Sequence, residues 1–392
     1  MQFIIFLGQI FSLFPVQGFR SQNVEDLKFS WISARVFYNF FTSLGLLYLT
    51  LTITYSTSGG GINIFELTII IFHVTTLINS LLFLQLAIKW PNLMKKWTET
   101  ETSMKSYGWP KGLDFHLKTL CAVIFISALV EFSLTKVSKL LLSYTCKKET
   151  EGIFEFYVVR TLFLEVFNII PYSTWQGIIL QIINVNATFA WTYIDVFIMV
   201  LSTALAFRFK QITHRLKIFV NGKVDNVTVW RSIREDYNKL CILTREVNEA
   251  ISNMILLSFS TNLTFIIIQM FHSLRYMNNN IEKVYFFFSF GFLIMRTLCV
   301  SLYGASVNDE SNEPTDILFN LPSKRYNIEI ARFLQQLQYD KVSLSGRGFF
   351  HITRRILLSM AGAIVTYELV VIQTCGDILE QSIKEKNTTT IC

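Results

Sequence analysis

The sequence predicts an all-α integral membrane protein with seven transmembrane helices, a cytoplasmic N-terminus and an extracellular C-terminus. Of its 392 residues, 52% are hydrophobic and only 16% are charged, whereas a soluble domain carries about 25% charged residues. Seven apolar runs reach the roughly 20 residues that a helix needs to cross a bilayer. Lysines and arginines are concentrated in alternate connections between these runs, which indicates one defined orientation.

The N-terminal segment, residues 1–35, is predicted to lie in the cytoplasm or at the membrane interface. Its opening, MQFIIFLGQIFSLFPVQGF, is interrupted by Pro15 and is too short to span the bilayer comfortably. The opening has no basic residue before Arg20 and no clear small-residue cleavage site. We expect the segment to be retained and to lie at the interface or to re-enter among the helices. A secretory signal peptide is the alternative.

The seven apolar runs are predicted to be helices because none of them shows the sustained period of two that marks strands of a membrane barrel. Four runs lie within residues 36–206, two within residues 254–305 and the last within residues 351–375. The runs themselves cover residues 36–57, 63–88, 119–142, 177–206, 254–275, 284–305 and 352–375.

Two connections, residues 207–253 and 306–350, are long enough to carry structure of their own. The first predicts two helical extensions separated at Asn221-Gly222. The second begins with the polar stretch NDESNEP, which predicts a loop, and continues as an amphipathic helix. The apolar face of that helix is predicted from Ile328, Ala331, Leu334, Leu337 and Gln338.

The orientation follows from the distribution of basic residues. A cytoplasmic N-terminus places most of the 35 lysines and arginines inside, while the outer loop at 56–62 carries no charge. Seven crossings then put the tail, residues 376–392, outside, where the sequon at Asn387 is a glycosylation candidate. A G-protein-coupled receptor has the opposite orientation, so that class is disfavoured.

Enzymatic function has no support in the sequence. GxSxG, HExxH, GxxxxGK[ST] and GxGxxG patterns are absent, and the five histidines are scattered among different segments. The six cysteines lack metal-like spacing, so we predict no metal site and no cofactor. A secondary transporter is a better competitor because polar intramembrane residues also mark substrate paths, although the chain shows no obvious inverted repeat.

The last apolar run carries a stripe of small and polar residues at helical spacing. The stripe consists of Ser359, Gly362, Thr366, Val370 and Gln373. Such a stripe can pack against another helix through small residues, or it can face a hydrated path at a symmetry axis between subunits. Glu368 lies in the same run, and an ionisable residue at membrane depth normally faces a partner or water.

The C-terminal sequence RFLQQLQYDKVSLSGRGFFHITRRILLSMAGAIVTYELVVIQT resembles the signature of the insect gustatory receptor family. The last helix of that family carries Thr-Tyr, five mostly apolar residues and Gln-Phe, and Thr366, Tyr367 and Gln373 fall on these positions. Two residues depart from the pattern, because Thr374 stands where the family usually has Phe and Glu368 replaces an apolar residue. The opening LGQIFSLFPV also resembles the usual start of the family.

The resemblance implies a ligand-gated, non-selective cation channel for Na, K and Ca ions, assembled as a homotetramer with a central pore. The last helix, residues 351–375, would line the pore, with Gln373, Thr374, Val370, Thr366 and Tyr367 as pore and gate residues. The segment 207–253 and the helix from 326 to 342, within the connection 306–350, would form the anchor where subunits meet. A heteromer with related receptors is the other possible assembly, and no nucleic acid partner is expected.

The resemblance also implies an extracellular small-molecule tastant and a pocket in the outer halves of the helices, mainly within residues 36–206. Small-molecule sites combine aromatic walls with a few convergent polar groups. On that basis the candidate ligand residues are Glu131, His73, Gln181, Trp191, Gln269, His272, Tyr285 and Phe288. The first expectation for the ligand is a bitter plant compound and the main alternative is a sugar. The expected location is the plasma membrane of chemosensory neurons, within the lipid bilayer.

Overall fold

The computed structural model describes residues 2–21, 23–57, 64–110, 112–146, 152–222, 226–273 and 280–386. This part of the chain is mostly helical. The helices are α1 (Gln2–Ile10), α2 (Ala34–Thr57), α3 (Ile64–Ser103), α4 (Leu113–Cys146), α5 (Ile153–Phe156), α6 (Leu164–Phe167), α7 (Thr174–Asn221), α8 (Val227–Ser273), α9 (Asn280–Asn312), α10 (Pro314–Phe319), α11 (Ile328–Tyr339) and α12 (Arg355–Lys386). A short antiparallel pair, β1 (Ser345–Gly346) and β2 (Phe350–His351), precedes α12.

The described residues of each predicted apolar run lie in a separate long helix, apart from 352–354, which precede α12. Residues 63, 274 and 275 of these runs are outside the described residues. Within the described residues, six helical stretches are long and apolar enough to cross a membrane, and they belong to α2, α3, α4, α7, α8 and α9 with α10. A shorter apolar stretch, Arg355–Tyr367, belongs to α12. The helical membrane fold is therefore confirmed, while the count of seven crossings and the orientation of the termini stay predictions.

Helix α7 forms the centre of the bundle. Of its most apolar stretch, 94% is buried inside the subunit, against 28% for the corresponding stretch of α3 and 22% for that of α4. Helices α3, α4, α8 and α9 all pack against α7. A helix that is apolar on all sides is the type that a protein buries completely, so the continuous apolar sequence of α7 accounts for its central position.

The N-terminal segment packs into the bundle beside α3 and α7. Phe14 is fully buried, and its ring contacts those of Phe83, Trp90 and Phe197. The Tyr193 hydroxyl on α7 donates a hydrogen bond to a carbonyl of α1. These contacts support the expectation that the segment re-enters among the helices, while its depth in the membrane stays a prediction.

Helices α7 and α8 are far longer than a bilayer requires. Their 48 and 47 residues correspond to roughly 70 Å each at 1.5 Å per residue, against a hydrocarbon core of about 30 Å. The break between them lies where it was predicted, because α7 ends at Asn221 and α8 begins at Val227. Each helix therefore extends well beyond the predicted span, as expected for the anchor region.

The polar stretch NDESNEP, residues 308–314, is helical, so the prediction of a loop was wrong. Its first five residues complete α9, and Pro314 opens α10, where the first helical turn tolerates a proline. The Asn308 amide donates to the Val342 carbonyl at 3.0 Å. Asp309 pairs with Arg354 at 2.7 Å. Polar groups that were expected to face water thus have partners in the chain segment preceding α12.

The amphipathic helix α11 was predicted correctly, but its buried face is rotated from the predicted one. Ile328 is 63% exposed, and Gln338 is exposed as well. The buried face consists of Glu329, Ile330, Phe333, Leu334 and Leu337. Asn327 caps the helix through its side-chain oxygen, and arginines on α8 draw Glu329 inward. The apolar residues Ile330, Phe333, Leu334 and Leu337 recur at helical spacing and form this face, to which the ion pairs of Glu329 add.

Candidate functional site

The small and polar stripe of α12 faces away from its own subunit. All five of its residues are exposed, whereas Met360 is buried and Ile364 packs against Phe265, Ile266 and Leu293 of the bundle. Among the described residues, α12 packs mainly against α8 and α9. The stripe therefore lies on the surface of the subunit, where it can face either a neighbouring subunit or a pore.

The predicted pore and gate residues all lie on α12. Thr366, Tyr367, Val370 and Gln373 are exposed. The Thr366 hydroxyl donates to a carbonyl one turn earlier at 2.8 Å, which satisfies its proton inside the helix. Thr374 is part of α12, but its side chain is outside the described residues, as are the side chain of Glu368 and the whole of Asn387.

A buried ion pair joins α7 to α9 in the middle of the bundle. Arg296 Nε lies 2.9 Å from Asp195 Oδ2, and both side chains are 1% exposed. The hydroxyl of Ser258 and the amide of Asn262, both on α8, donate to the carboxylate. A buried charge pair is stable only when further hydrogen bonds satisfy both groups, and those to the carboxylate both come from α8.

A small cleft adjoins this ion pair between α3, α7 and α8. It is lined by Thr75, Thr76, Asn79, Trp191, Ile194, Leu257, Ser258 and Thr261. Within the described part of the chain, Asn79 Oδ1, Trp191 Nε1 and Thr261 Oγ1 are buried without hydrogen-bond partners. Buried polar atoms are nearly always paired in folded proteins, so these three atoms point to a polar ligand or ordered water in the cleft.

The aromatic wall of the cleft also reaches the last helix. The ring centroids of Trp191 and Phe265 are 4.7 Å apart, and Phe72 lies edge-on to Trp191 at 6.3 Å. Phe265 belongs to the small apolar cluster against which Ile364 of α12 packs. Side-chain packing through Phe265 therefore connects the Trp191 ring to Ile364 of α12.

A second polar group forms between α4, α8 and α9 around Glu131. Ser289 donates a hydrogen bond to the Glu131 carboxylate, and the Gln269 amide lies 3.4 Å from the Ser289 hydroxyl. Tyr285 lies one helical turn before Ser289 on α9. Gln269 Oε1 is buried and has no partner among the described residues. Three of the predicted ligand residues, Glu131, Gln269 and Tyr285, are thus brought into one neighbourhood.

The remaining predicted ligand residues do not line the cleft, except Trp191. His73 is buried on α3, and its Nδ1 has no hydrogen-bond partner within the described ranges. Gln181 lies on α7, His272 lies in the last turn of α8, and Phe288 packs against the main apolar core. The structure therefore divides the eight predicted residues among several places.

Sequence reasoning missed the central charges of the site. Asp195 and Arg296 are ionisable residues inside two predicted spans, which is itself a signal for a functional or paired group. Asn79, Ser258 and Thr261 carried no such signal because single polar residues are common in apolar helices. Only the packing of α3 against α7 and α8 brings these side chains together.

Ion pairs connect the helix ends at the predicted cytoplasmic end of the bundle. They include Lys96–Glu246, Arg208–Glu101, Lys217–Glu313, Arg245–Asp340 and Arg354–Asp309. The most enclosed carboxylate there is Glu329, which Arg234 contacts at 2.9 Å and Arg231 at 3.5 Å. The hydrogen bond from Arg234, together with the arginine charges, holds the pKa of Glu329 below its usual range.

We expect Glu329→Gln to lower the thermal stability of the purified protein at neutral pH. The carboxylate with a lowered pKa stabilises the fold above the ordinary glutamate pKa of about 4.3, and this contribution is lost as pH falls through the lowered value. The difference between parent and variant should therefore shrink below about pH 4 in melting curves from pH 7 to pH 3. Glu235→Gln, at a more exposed carboxylate, is the control, and a constant difference at all pH values would contradict the assignment.

Comparison with known proteins gives one consistent result. A family model described as "Trehalose receptor" matches residues 1–383. "Gustatory receptor for sugar taste 64f" of Drosophila melanogaster is 34% identical over 388 residues, covering 94% of this chain and 79% of the relative. "Gustatory receptor 5a for trehalose" of the same organism is 32% identical over 380 residues, covering 94% of this chain and 83% of the relative.

The fold is also similar to a solved structure. The insect olfactory receptor OR5 from Machilis hrabei superposes on 95% of this chain and 97% of that chain with a TM-score of 0.68, at 15% sequence identity. This likeness shows the fold of the helical bundle, and the sequence comparisons place the chain among multi-pass membrane receptors. The chain belongs to the insect gustatory receptor family, whose members are receptor channels and not enzymes.

Proposed function

We propose that this chain is the subunit of a cation channel that opens when an extracellular sugar binds within its helical bundle. The observation that carries the proposal is the similarity along 94% of the chain to relatives named for sugar and trehalose taste. These relatives favour the sugar alternative over the bitter plant compound that was the first expectation. The ligand-gated mechanism and the sugar ligand together form the proposal.

The cleft as it stands has room for about one water molecule, so a sugar can enter only if α3, α7 and α8 move apart. The chemistry of its lining supports a sugar ligand. A sugar presents many hydroxyl groups, each of which can donate and accept hydrogen bonds, and the buried atoms of Asn79, Trp191 and Thr261 include both acceptors and a donor. The ring face of a sugar is apolar and can pack on an aromatic wall such as Trp191. Small-molecule sites generally combine an apolar wall with a few placed polar groups.

The pore of the proposed channel lies between subunits. Four copies of α12 around one axis would bring together their exposed stripes, including Gly362, Thr366 and Gln373. The polar groups in those stripes would give hydrated cations a path through the membrane. We propose Gln373 and Thr374 as the gate, the cytoplasmic helix extensions as the anchor of a homotetramer, and the plasma membrane of chemosensory neurons as its location.

The test is whole-cell current and calcium entry in a non-neuronal cell that expresses this chain alone. Trehalose, sucrose, glucose and a panel of plant alkaloids are applied while G-protein signalling is blocked. A prompt cation current to a sugar is the expected result. A current to alkaloids alone would overturn the sugar assignment, and stoichiometric sugar uptake without current would favour a transporter.

We expect Glu131→Gln to change the sugar concentration for half-maximal current, with little effect on unitary conductance. The side chain accepts a hydrogen bond from Ser289 in the second polar group, where Gln269 Oε1 is buried without a partner among the described residues. Ser133→Ala, on the exposed side of the same helix, is the control because its hydroxyl bonds only its own helix among the contacts described. A changed conductance at constant potency would place Glu131 in the ion pathway instead.

A further inference from the structure

The aromatic wall of the cleft rests on a buried cation. The guanidinium carbon of Arg296 lies 4.4 Å from the centroid of the Trp191 ring, although the Arg296 side chain is only 1% exposed. A cation over an indole face is attracted by the ring quadrupole, and the attraction is stronger where water is excluded. This contact joins the most deeply buried charge of the bundle to a residue of the proposed ligand cleft.

The guanidinium itself is held from three directions. Asp195 pairs with its Nε at 2.9 Å, and Nη1 donates to the Thr192 hydroxyl at 2.9 Å. Nη2 donates to Asn262 Oδ1 at 3.3 Å. An arginine fork with fixed partners holds its plane as well as its charge, which a lysine ammonium cannot do. The position of Arg296 is therefore determined by α7 and α8 together.

The Trp191 ring, by contrast, has no hydrogen bond to hold it. Its Nε1 is buried without a partner in the part of the chain that the structure describes. Its contacts are the guanidinium of Arg296 and the rings of Phe72 and Phe265. Stacking rather than hydrogen bonding thus fixes the plane of the ring and leaves its N–H available to a ligand.

We propose that Arg296 and Asp195 are positioning residues that hold Trp191 as a wall of the ligand cleft. They set the affinity for the ligand without contacting it. The inference rests on the proposed function in so far as the cleft is the place where the sugar binds. It adds that the intramembrane ion pair serves ligand recognition in addition to stabilising the fold.

The first test uses Thr192→Val, which removes one hydrogen bond to Arg296 and preserves the ion pair and the side-chain shape. With trehalose and sucrose as probes, the concentration for half-maximal current should rise about three- to tenfold, the range that one buried hydrogen bond gives. Maximal current and surface expression should stay unchanged. Thr188→Val is the matched control, because that hydroxyl on the same helix bonds only a backbone carbonyl among the contacts described.

A purely structural role of Arg296 is excluded by repeating Thr192→Val in a Trp191→Leu background. If Arg296 acts through Trp191, Thr192→Val should have no further effect on potency in the Trp191→Leu background, because the ring is absent and coupled residues are not additive. Full additivity of the two shifts would overturn the proposal. So would a potency of Thr192→Val equal to that of the parent.

A measurement without sugar separates this inference from the proposed function. Thr261→Cys places a thiol in the cleft. Its rate of reaction with a water-soluble methanethiosulfonate reagent measures the accessibility of the cleft, which depends on the position of the Trp191 ring. Thr192→Val should change that rate at least about threefold, as expected for one lost hydrogen bond, and Trp191→Leu should abolish the difference. An unchanged rate of thiol modification refutes the inference. A changed rate in a channel that gives no current with sugars refutes only the sugar assignment.

Discussion

Asp195→Ala is expected to remove most of the protein from the cell surface. The substitution leaves Arg296 buried in the bundle without its carboxylate partner, and breaking one side of a buried pair costs about 3–5 kcal/mol. A loss of that size is a large share of the roughly 5–15 kcal/mol by which folded proteins are stable. Surface biotinylation and size-exclusion profiles of the detergent-solubilised protein measure the effect.

Two variants make this prediction specific. Asp340→Ala removes an exposed carboxylate that pairs with Arg245 at 2.7 Å, and a surface pair of this type contributes at most about 1 kcal/mol. Asp195→Ala combined with Arg296→Met should recover part of the expression, because an apolar replacement of both partners leaves no unpaired charge. Normal surface expression of Asp195→Ala alone would show that Arg296 is not held by this pair in the membrane.

Gln373→Ala is expected to change the ratio of basal to ligand-evoked current while surface expression stays normal. Gln373 is exposed on α12 and makes no contact on which the folded subunit depends among the interactions described. If its amide exchanges partners between closed and open states, losing one hydrogen bond shifts the open–closed equilibrium about two- to tenfold. Whole-cell recordings with matched surface labelling measure the ratio.

The control for Gln373 lies on the same helix. Val365 is also exposed, but it lies off the stripe of small and polar residues, so Val365→Ala should leave the current ratio unchanged. Equal effects of the two substitutions would indicate a general disturbance of α12. Unchanged currents in Gln373→Ala would refute the assignment of this residue to the gate.

Helix positions could be predicted well because hydropathy and helix breaking are local properties. An apolar run of bilayer length forms a helix whatever its neighbours are, since its backbone groups must be satisfied internally. The break after Asn221 was likewise readable, because Asn-Gly disfavours continuation of a helix. The motif of the last helix identified the family for the same reason, as its residues are close together in the sequence.

Predictions failed where distant segments supply the partner. The stretch 308–314 was taken for a loop on account of its polarity, yet Asn308 and Asp309 bond to Val342 and Arg354 and complete a helix. Helix α11 buries an acidic residue, Glu329, because Arg234 of α8, 95 residues earlier in the chain, pairs with it. Polarity predicts exposure only when no such partner exists.

The sequence by itself determined that the chain is a helical membrane protein, where its long helices lie, and to which family it belongs. The tertiary structure alone decided which polar groups meet. Asn79, Asp195, Ser258 and Arg296 come from four helices and converge beside α7, whose apolar surface packs all of these helices around it. Hydropathy is a property of each segment, whereas the pairing of buried charges depends on how segments pack, and so the site became visible only in the folded chain.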